Sequence, residues 1–313
     1  MRIRLSDHFT YGKLLRFTLP SIGTMIFTSI YGVVDGFFVS NFAGKTPFAA
    51  VNLIMPVLMI LGTVGFMFGT GGTALVAKTL GTGDRKQANR YFSLFVYTAF
   101  SLGLLLAAAG AIWMRPIAAA LGAEGELLEN CVLYARINLL GLPFFVLQVM
   151  FQSFFVAAEK PHLGLAVTVS SGLTNMVLDA VLVLSLPQAQ KLAGAAIATA
   201  MSQFVGGVVP LFYFFRKNSS LLRLGKTRWD GKAILRACIN GSSEFMSNIS
   251  MSLVGVLYNL QLMAYAGENG IAAYGVMMYV SMIFSATFVG FTVGGAPVIS
   301  YQDGAENYDE LKG

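Results

Sequence analysis

Charge is scarce in this sequence. Of its 313 residues only 12% are Asp, Glu, Lys or Arg, whereas 56% are hydrophobic and the mean hydropathy is +0.68. A soluble domain carries about a quarter charged residues on average, so this composition excludes a soluble globular protein. The net charge of +6 does not indicate nucleic-acid binding, because the basic residues lie in the loops between apolar runs, where they set membrane topology.

Residues that carry enzymatic or metal chemistry are also few. There are two histidines, and His162 has no second histidine near it. Cys131 and Cys238 lie far apart and predict two reduced thiols, not a disulfide framework. The sequence contains no nucleophile elbow and no HExxH motif, and its GTGG run at 69–72 is not followed by the Gly-Lys-Ser/Thr of a phosphate loop. We therefore expect neither an enzyme nor a cofactor.

Long apolar runs dominate the chain. Each is long enough to cross about 30 Å of hydrocarbon as a helix. The first run follows a basic N-terminus but is too long for the core of a cleaved signal peptide, so it predicts the first span. The approximate limits of the predicted spans are 14–39, 47–78, 91–114, 130–157, 163–186, 192–215, 239–265 and 270–300.

The chain also repeats itself. Shifted by 223 residues without a gap, 14–90 aligns with 237–313, and Gly71 falls on Gly294 and Gly81 on Gly304. An apolar composition makes some chance matches, but one fixed offset with glycine on glycine favours a duplication. Two such units need about 446 residues. We therefore expect one complete unit and the opening of a second, as a truncated form of a longer protein.

Lysine and arginine are distributed unequally between the two sides of the predicted bundle. The side with the N-terminus holds 17 of them and the other side 4, which predicts that both ends of the chain are cytoplasmic. Spans 1–2 and 7–8 are an even number of helices apart, so the two units cross the membrane in the same direction. Parallel repeats are a transporter architecture with the pathway between the halves.

This repeat divides the chain into three parts. We assign 1–215 to a first lobe of six transmembrane helices, 216–236 to a cytoplasmic linker, and 237–313 to the start of a second lobe with two helices. The linker carries leucines, a tryptophan and many basic residues. It lies on the membrane surface or extends into the cytoplasm, and the two alternatives stay open.

Polar residues inside the spans predict an ion site. Asp35 in span 1 and Asp179 in span 5 lie in the outer half of the membrane at similar depth. Asn175 precedes Asp179 by one helical turn on the same face, and Thr199 in span 6 reaches a comparable level. We expect one cluster that takes up a proton or holds Na⁺ through its oxygen atoms. The alternatives are acids at helix ends and ordinary interhelical hydrogen bonds.

Four further residues have two interpretations each. Pro20 removes a backbone hydrogen bond fifteen residues before Asp35, and it either bends span 1 or is tolerated in the first turns. Gln148 and Gln152 share a face of span 4, where they line the cavity or join helices, and we favour the second. Glu244, near the cytoplasmic end of span 7, faces the pathway or reaches toward the membrane interface.

Several of these stretches carry a family resemblance through their order and spacing. They are 19–20 (LP), 34–39 (VDGFFV), 72–74 (GTA), 80–84 (LGTGD), 175–179 (NMVLD), 194–199 (GAAIAT) and 297–304 (PVISYQDG). Together they resemble a bacterial multidrug and toxic compound extrusion (MATE) transporter over essentially the whole chain. The resemblance implies an all-α integral membrane protein, with one complete six-helix lobe and the first two helices of a second, parallel-repeat lobe.

The resemblance also implies a function. It implies a monomer of the plasma (inner) membrane that exports lipophilic organic cations in exchange for H⁺ or Na⁺ and binds no nucleic acid. On this resemblance Asp35, Asn175, Asp179 and Thr199 form the cation site of the first lobe, with Na⁺ as the one metal ion to consider, at Asp35 and Asp179. Pro20 matches a proline that bends on protonation in some relatives.

Two departures from the family pattern leave alternatives open. Four helices of the second lobe are absent, and small and apolar residues around Ser252 stand where some relatives carry a carboxylate. One alternative is a flippase for lipid-linked oligosaccharides of the same superfamily, although the spans lack the cationic cavity that it would need. Another is a non-functional fragment of an exporter, and a membrane enzyme is disfavoured because no catalytic constellation is present.

Overall fold

The computed structural model describes residues 4–312, without the side chains of 255, 256, 258–264, 266–280, 282, 283, 311 and 312. Within these residues every regular element is helical, which confirms the all-α prediction. The helices are α1 (Tyr11–Phe38), α2 (Lys45–Met67), α3 (Thr73–Gly81), α4 (Arg85–Ala120), α5 (Gly125–Ala157), α6 (Pro161–Ser185), α7 (Lys191–Phe215), α8 (Gly231–Gly304) and α9 (Tyr308–Lys312).

The first six predicted spans are present with small shifts at their ends. Predicted span 2 comprises α2, the π-helical segment Phe68–Gly72 and α3. The GTGG run therefore lies in an irregular, π-helical part of a membrane helix, and π-helical turns are frequent at functional sites. A second π-helical segment, Val39–Ala43, continues α1. Seven helical stretches of the described residues are long and apolar enough to cross a membrane.

The prediction of a loop at 266–269 is wrong. The structure has helical backbone from Gly231 to Gly304, where the sequence predicted two spans with a break between them. The chain nevertheless reverses direction within α8. Ala237 lies against Gly71, and Tyr301 lies against Gly81. Gly71 and Gly81 are only ten residues apart on one span, whereas a straight helix from 237 to 301 would be about 96 Å long. The helical backbone of α8 therefore extends through 266–269, where Gly and polar residues predicted a loop, although the chain turns back between 237 and 301.

The helix α5 is the central element of the bundle. It is the most buried of the candidate spans and packs against α2, α4 and α7. At one end of the bundle, rings from these helices form a cluster: the centroid of Phe92 lies 4.9 Å from that of Phe154 and 5.0 Å from that of Phe214. Tilted and edge-to-face contacts of this kind stabilise a core beyond the area they bury.

That end of the bundle also carries the N-terminal segment, the linker and the end of α8. The carbonyl of Leu5 accepts a hydrogen bond from Gln302, and Lys160 donates to Ser219 in the linker. Lys78 forms a salt bridge with Asp303 at 2.7 Å. We call this end of the bundle the basic end, since most lysines and arginines of the chain are predicted on this side.

The internal repeat has a geometric counterpart at the basic end. A Cβ atom on Gly81 would collide with the carbonyl oxygen of Tyr301, and one on Gly304 would collide with the carbonyl oxygen of Lys78. Tyr301 and Gly304 lie 223 residues after Lys78 and Gly81 respectively. The two contacts are therefore equivalent under the repeat, as in a pseudo-two-fold interface, and glycine at both positions lets the backbones of α3 and α8 touch.

Candidate functional site

Three helices position the polar side chains singled out in the sequence. Asp35 lies near the end of α1, Asn175 and Asp179 lie on α6, and Thr199 lies on α7. The helix α6 packs against both α1 and α7, and the i, i+4 spacing puts Asn175 and Asp179 on one face of it. Asp179 and Asn175 are fully buried, Asp35 is 9% exposed and Thr199 is half-buried.

The four side chains lie together in the structure. The polar groups that face the carboxyl of Asp35 are those of Asp179, Asn175 and Thr199. Close approach of α1 to α6 depends on Gly172, whose missing side chain leaves room for a ring of α1. The cluster therefore brings two carboxyls, an amide and a hydroxyl together between three membrane helices.

Tyr134 joins this cluster and was missed in the sequence. It lies on α5 with its whole side chain buried, and its hydroxyl lies beside Thr199 and within electrostatic range of Asp35 and Asp179. Asn138, one turn further along α5, donates to the backbone carbonyl of Tyr134. A tyrosine in an apolar span is common, so only the packing of α5 against the other helices could have pointed to this residue.

The cluster contains five buried oxygen atoms that have no hydrogen-bond partner within the described part of the chain. They are Oδ1 of Asp35, Oδ1 of Asn175, Oδ1 and Oδ2 of Asp179, and the hydroxyl oxygen of Tyr134. A buried polar atom without a partner is costly, and two buried carboxylates side by side repel each other. A proton shared between the carboxyls, or a hard cation with oxygen ligands, removes both costs, so the donor set fits H⁺ or Na⁺.

Pro20 lies in a buried part of α1, and the helix continues through it. The hydroxyl of Thr24 donates to the carbonyl of Pro20 at 2.8 Å. This bond goes to the carbonyl of the proline itself, whereas the backbone donor that the proline lacks would have served the carbonyl of Arg16, one turn earlier. The structure thus shows one conformation of α1, and the role of Pro20 in bending stays a prediction.

The two glutamines of α5 have different surroundings. Gln148 donates to Ser171 at 3.2 Å, and Ser171 donates to the carbonyl of Ser202 at 2.6 Å, so these groups join α5, α6 and α7. Gln152 lines a small cavity with Ser21 and other residues of α1 and α6. Neither glutamine is among the groups that face the two carboxyls.

Glu244 is not brought to the cluster either. It is half-buried on α8, and its backbone carbonyl accepts from Asn248 at 2.8 Å. The described residues contain no group of three or more His, Cys, Asp or Glu side chains suited to a metal ion. The candidate site is therefore the cluster of α1, α5, α6 and α7, defined by Asp35, Tyr134, Asn175, Asp179 and Thr199.

Comparison with known proteins places this arrangement in a family. The MatE family model matches residues 20–181, just over half of the chain, and the match includes Asp35, Asn175 and Asp179. The chain belongs to the MatE family.

Two curated relatives of this MatE chain are called multidrug export protein MepA. That of Staphylococcus haemolyticus is 29% identical over 292 residues, covering 93% of this chain and 64% of the relative. That of Staphylococcus aureus is 28% identical over 294 residues, again covering 93% and 64%. This MatE chain thus spans less than two thirds of the length of these relatives.

A solved structure confirms the fold. The crystal structure of MATE in complex with MaL6 superposes with a TM-score of 0.89 at 22% identity, covering 96% of this chain and 66% of that one. The MatE chain is therefore an all-α, multi-pass membrane protein with the MATE fold, as the resemblance in its sequence implied.

Proposed function

We propose that this chain forms the ion-coupling lobe and the start of the second lobe of a multidrug exporter, which moves lipophilic cations out of the cell in exchange for H⁺ or Na⁺. The observation that carries this proposal is the buried cluster of Asp35, Tyr134, Asn175 and Asp179, with five oxygen atoms that lack a partner. Thr199 contributes a hydroxyl beside them.

The chemistry of the cluster supports antiport. Two buried carboxylates are stable together only when positive charge lies beside them. A substrate cation, a sodium ion or a proton each supplies that charge, and binding of one weakens binding of the others. This negative coupling between substrate and ion is reciprocal, and it is the thermodynamic requirement for exchange. Asn175 and Tyr134 would orient the ion, and no cofactor besides this ion takes part.

The substrate class follows from charge and surface. The acid-bearing cluster attracts cations, and the phenylalanine-rich and methionine-rich spans offer ring faces for cation–π contacts and adaptable apolar surface. Arg136, a basic residue inside a span, is exposed, not turned into the cluster. The relatives named multidrug export proteins are consistent with lipophilic organic cations as substrates.

The membrane topology completes the proposal. The amide of Phe9 donates to Glu310 at 2.6 Å, so the N-terminal segment and α9 lie at the same end of the bundle. The excess of lysine and arginine on that side supports a cytoplasmic location for both. We place the protein in the plasma (inner) membrane as a monomer that acts as a transporter without enzymatic activity.

Substitution of the acids tests the proposal. Asp35→Asn and Asp179→Asn keep the side-chain shape but remove one charge from a buried cluster, which is worth a few kcal/mol at about 4–6 Å separation. We expect tetraphenylphosphonium to bind each variant, in lipid nanodiscs at pH 8 without Na⁺, at least about tenfold more weakly than the unsubstituted chain.

The matched control is Glu126→Gln, which removes an exposed carboxylate and should leave binding unchanged. The two variants should also lose the weakening of binding that added Na⁺ or a lower pH causes in the unsubstituted chain. Equal affinity of both variants and the control for tetraphenylphosphonium would overturn the proposed function.

A further inference from the structure

The linker is a fixed part of the first lobe. It runs beside the first turns of α4 and is joined to them by a ladder of hydrogen bonds. In order along α4, these are Arg85 Nη2 to the carbonyl of Ser220 (2.7 Å), the amide of Arg223 to Asn89 Oδ1 (2.7 Å), the amide of Gly225 to Ser93 Oγ (3.0 Å) and Tyr97 Oη to the carbonyl of Gly225 (3.2 Å). A linker held this way is neither free in solution nor laid flat on the membrane by itself.

The sequence of the linker explains its attachment. Leu222 and Leu224 are buried in the core that contains Phe92 and Phe95, whereas Arg223 between them is exposed. This alternation is that of an extended chain with one face on a core. The leucines fix the linker, and its other face presents basic side chains outward.

Three basic residues and a tryptophan lie near one another along the backbone where the linker leaves α4. The hydroxyl of Thr227 donates to the carbonyl of Arg90 at 2.9 Å, which sets Lys226 and Arg228, the neighbours of Thr227, beside Arg90. All three basic side chains are exposed, and Trp229 is 78% exposed. We call Arg90, Lys226, Arg228 and Trp229 the linker patch.

No residue of the linker patch forms a salt bridge within the described part of the chain. The salt bridges there involve His8, Lys13, Lys78 and Arg115. The nearest acid in sequence, Asp230, uses an oxygen of its carboxylate to accept the amide of Ala233 at the start of α8. The patch therefore has positive charge to offer an external partner.

The position of the patch indicates that the partner is a lipid. Tyr97, which is bonded to the linker, is 42% exposed, and further along α4 most of the exposed side chains are apolar, as at Leu104 and Leu105. The patch thus lies where the lipid-facing side of α4 meets the polar end of the bundle. Tryptophan and tyrosine at that level are typical of a membrane interface, and clustered lysine and arginine bind anionic head groups there.

We propose that the linker patch binds the head groups of anionic phospholipids in the leaflet at the basic end of the bundle. The phosphodiester and net negative charge of such a lipid would pair with Arg90, Lys226 and Arg228, while Trp229 inserts among the glycerol and upper acyl groups. Binding there would hold the junction between the two repeat units at a fixed depth in the membrane.

The content of two tryptophans, Trp113 and Trp229, permits a direct test. The Trp113→Phe chain, which keeps only Trp229, is reconstituted in phosphatidylcholine vesicles in which about one lipid in five is phosphatidylglycerol. The acyl chains of either lipid are brominated near the head group, so that they quench a tryptophan in contact with them. We expect brominated phosphatidylglycerol to quench Trp229 more strongly than its mole fraction predicts.

Two controls separate a site from a general surface potential. The Trp229→Phe chain keeps Trp113, near the opposite end of α4, and should show no preference for the anionic lipid. In the Trp113→Phe background, Lys226→Gln with Arg228→Gln should lower the apparent selectivity by about fivefold for each charge removed. Lys13→Gln with Arg16→Gln removes equal charge from the same end away from the patch and should leave it unchanged.

Three results would overturn the proposal. They are equal quenching of Trp229 by brominated phosphatidylcholine and phosphatidylglycerol, an equal preference at Trp113, and an equal loss of selectivity in the Lys13/Arg16 control. The first comparison uses the chain with only its Trp113 changed, so the proposal is tested even if a patch variant folds poorly.

Discussion

The crossing of α3 and α8 predicts an unusual sensitivity to a single methyl group. At Gly81 and Gly304 an added Cβ would lie well inside van der Waals contact with a backbone carbonyl of the other helix, where ordinary contact begins at 3.4 Å. Since backbone atoms cannot rotate away, α3 and α8 would have to separate by more than about 1 Å, and overpacking of this kind costs about 1–3 kcal/mol. We expect Gly81→Ala and Gly304→Ala each to destabilise the folded chain by that amount.

The equivalence of the two contacts sharpens this prediction. Because both glycines serve the same crossing, the separation that one alanine causes also makes room for the other. The double variant should therefore lose less stability than the sum of the two single variants. Unfolding of the purified protein by sodium dodecyl sulfate in mixed micelles, followed by circular dichroism, measures all three free-energy changes.

Gly295→Ala is the matched control on the same helix, because a Cβ there meets nothing within 4 Å. Alanine is the better helix former, so this change should be neutral or stabilise by up to about 1 kcal/mol. If Gly304→Ala behaved like Gly295→Ala, or if the two destabilising variants were fully additive, the close pseudo-symmetric crossing would be refuted.

Two further changes have defined outcomes. Tyr134→Phe removes the hydroxyl that lies within electrostatic range of the two carboxyls, so it should change the ion dependence of tetraphenylphosphonium binding. The free energy of unfolding in sodium dodecyl sulfate should stay within about 1 kcal/mol, since the buried hydroxyl lacks a partner among the described residues. An unchanged ion dependence would remove Tyr134 from the site. The pKa of Glu310 is lowered from its ordinary 4.5 by hydrogen bonds from the amide of Phe9 and then from His8, so its hold on the N-terminal segment is present above that pH and is lost as pH falls through the lowered pKa. At pH 4.5, pepsin should cleave the N-terminal segment of the unsubstituted chain more slowly than that of the Glu310→Gln variant. Equal rates of cleavage would contradict this reading.

Much of the fold and most of the site could be predicted from the sequence, because a membrane imposes simple constraints. Twenty apolar residues must be helical, and a carboxyl inside a span is too costly to be accidental. Asp35 and Asp179 were found in this way, since depth along a helix can be counted from its ends. Their meeting in the structure required only that α1 and α6 be neighbours.

Features that depend on tertiary packing were not predictable in the same way. Tyr134 has an ordinary position in its span, and only the contacts of α5 bring its hydroxyl to the acids. The attachment of the linker to α4 rests on hydrogen bonds between groups more than 120 residues apart, such as Asn89 and Arg223. The helical backbone at 266–269 was misjudged because glycine and polar residues are weak evidence against a helix when tertiary context decides.

The competition between substrate and coupling ion is the central claim, and a count of ions released on binding tests it most directly. Titration calorimetry of tetraphenylphosphonium binding to the chain in nanodiscs, in buffers of different ionisation enthalpy and over a series of Na⁺ concentrations, gives the protons and sodium ions exchanged per substrate bound. The account predicts release of about one positive charge, as H⁺ or Na⁺, and loss of that release in Asp179→Asn. Binding of tetraphenylphosphonium with release of neither ion, in the unsubstituted chain, would contradict it.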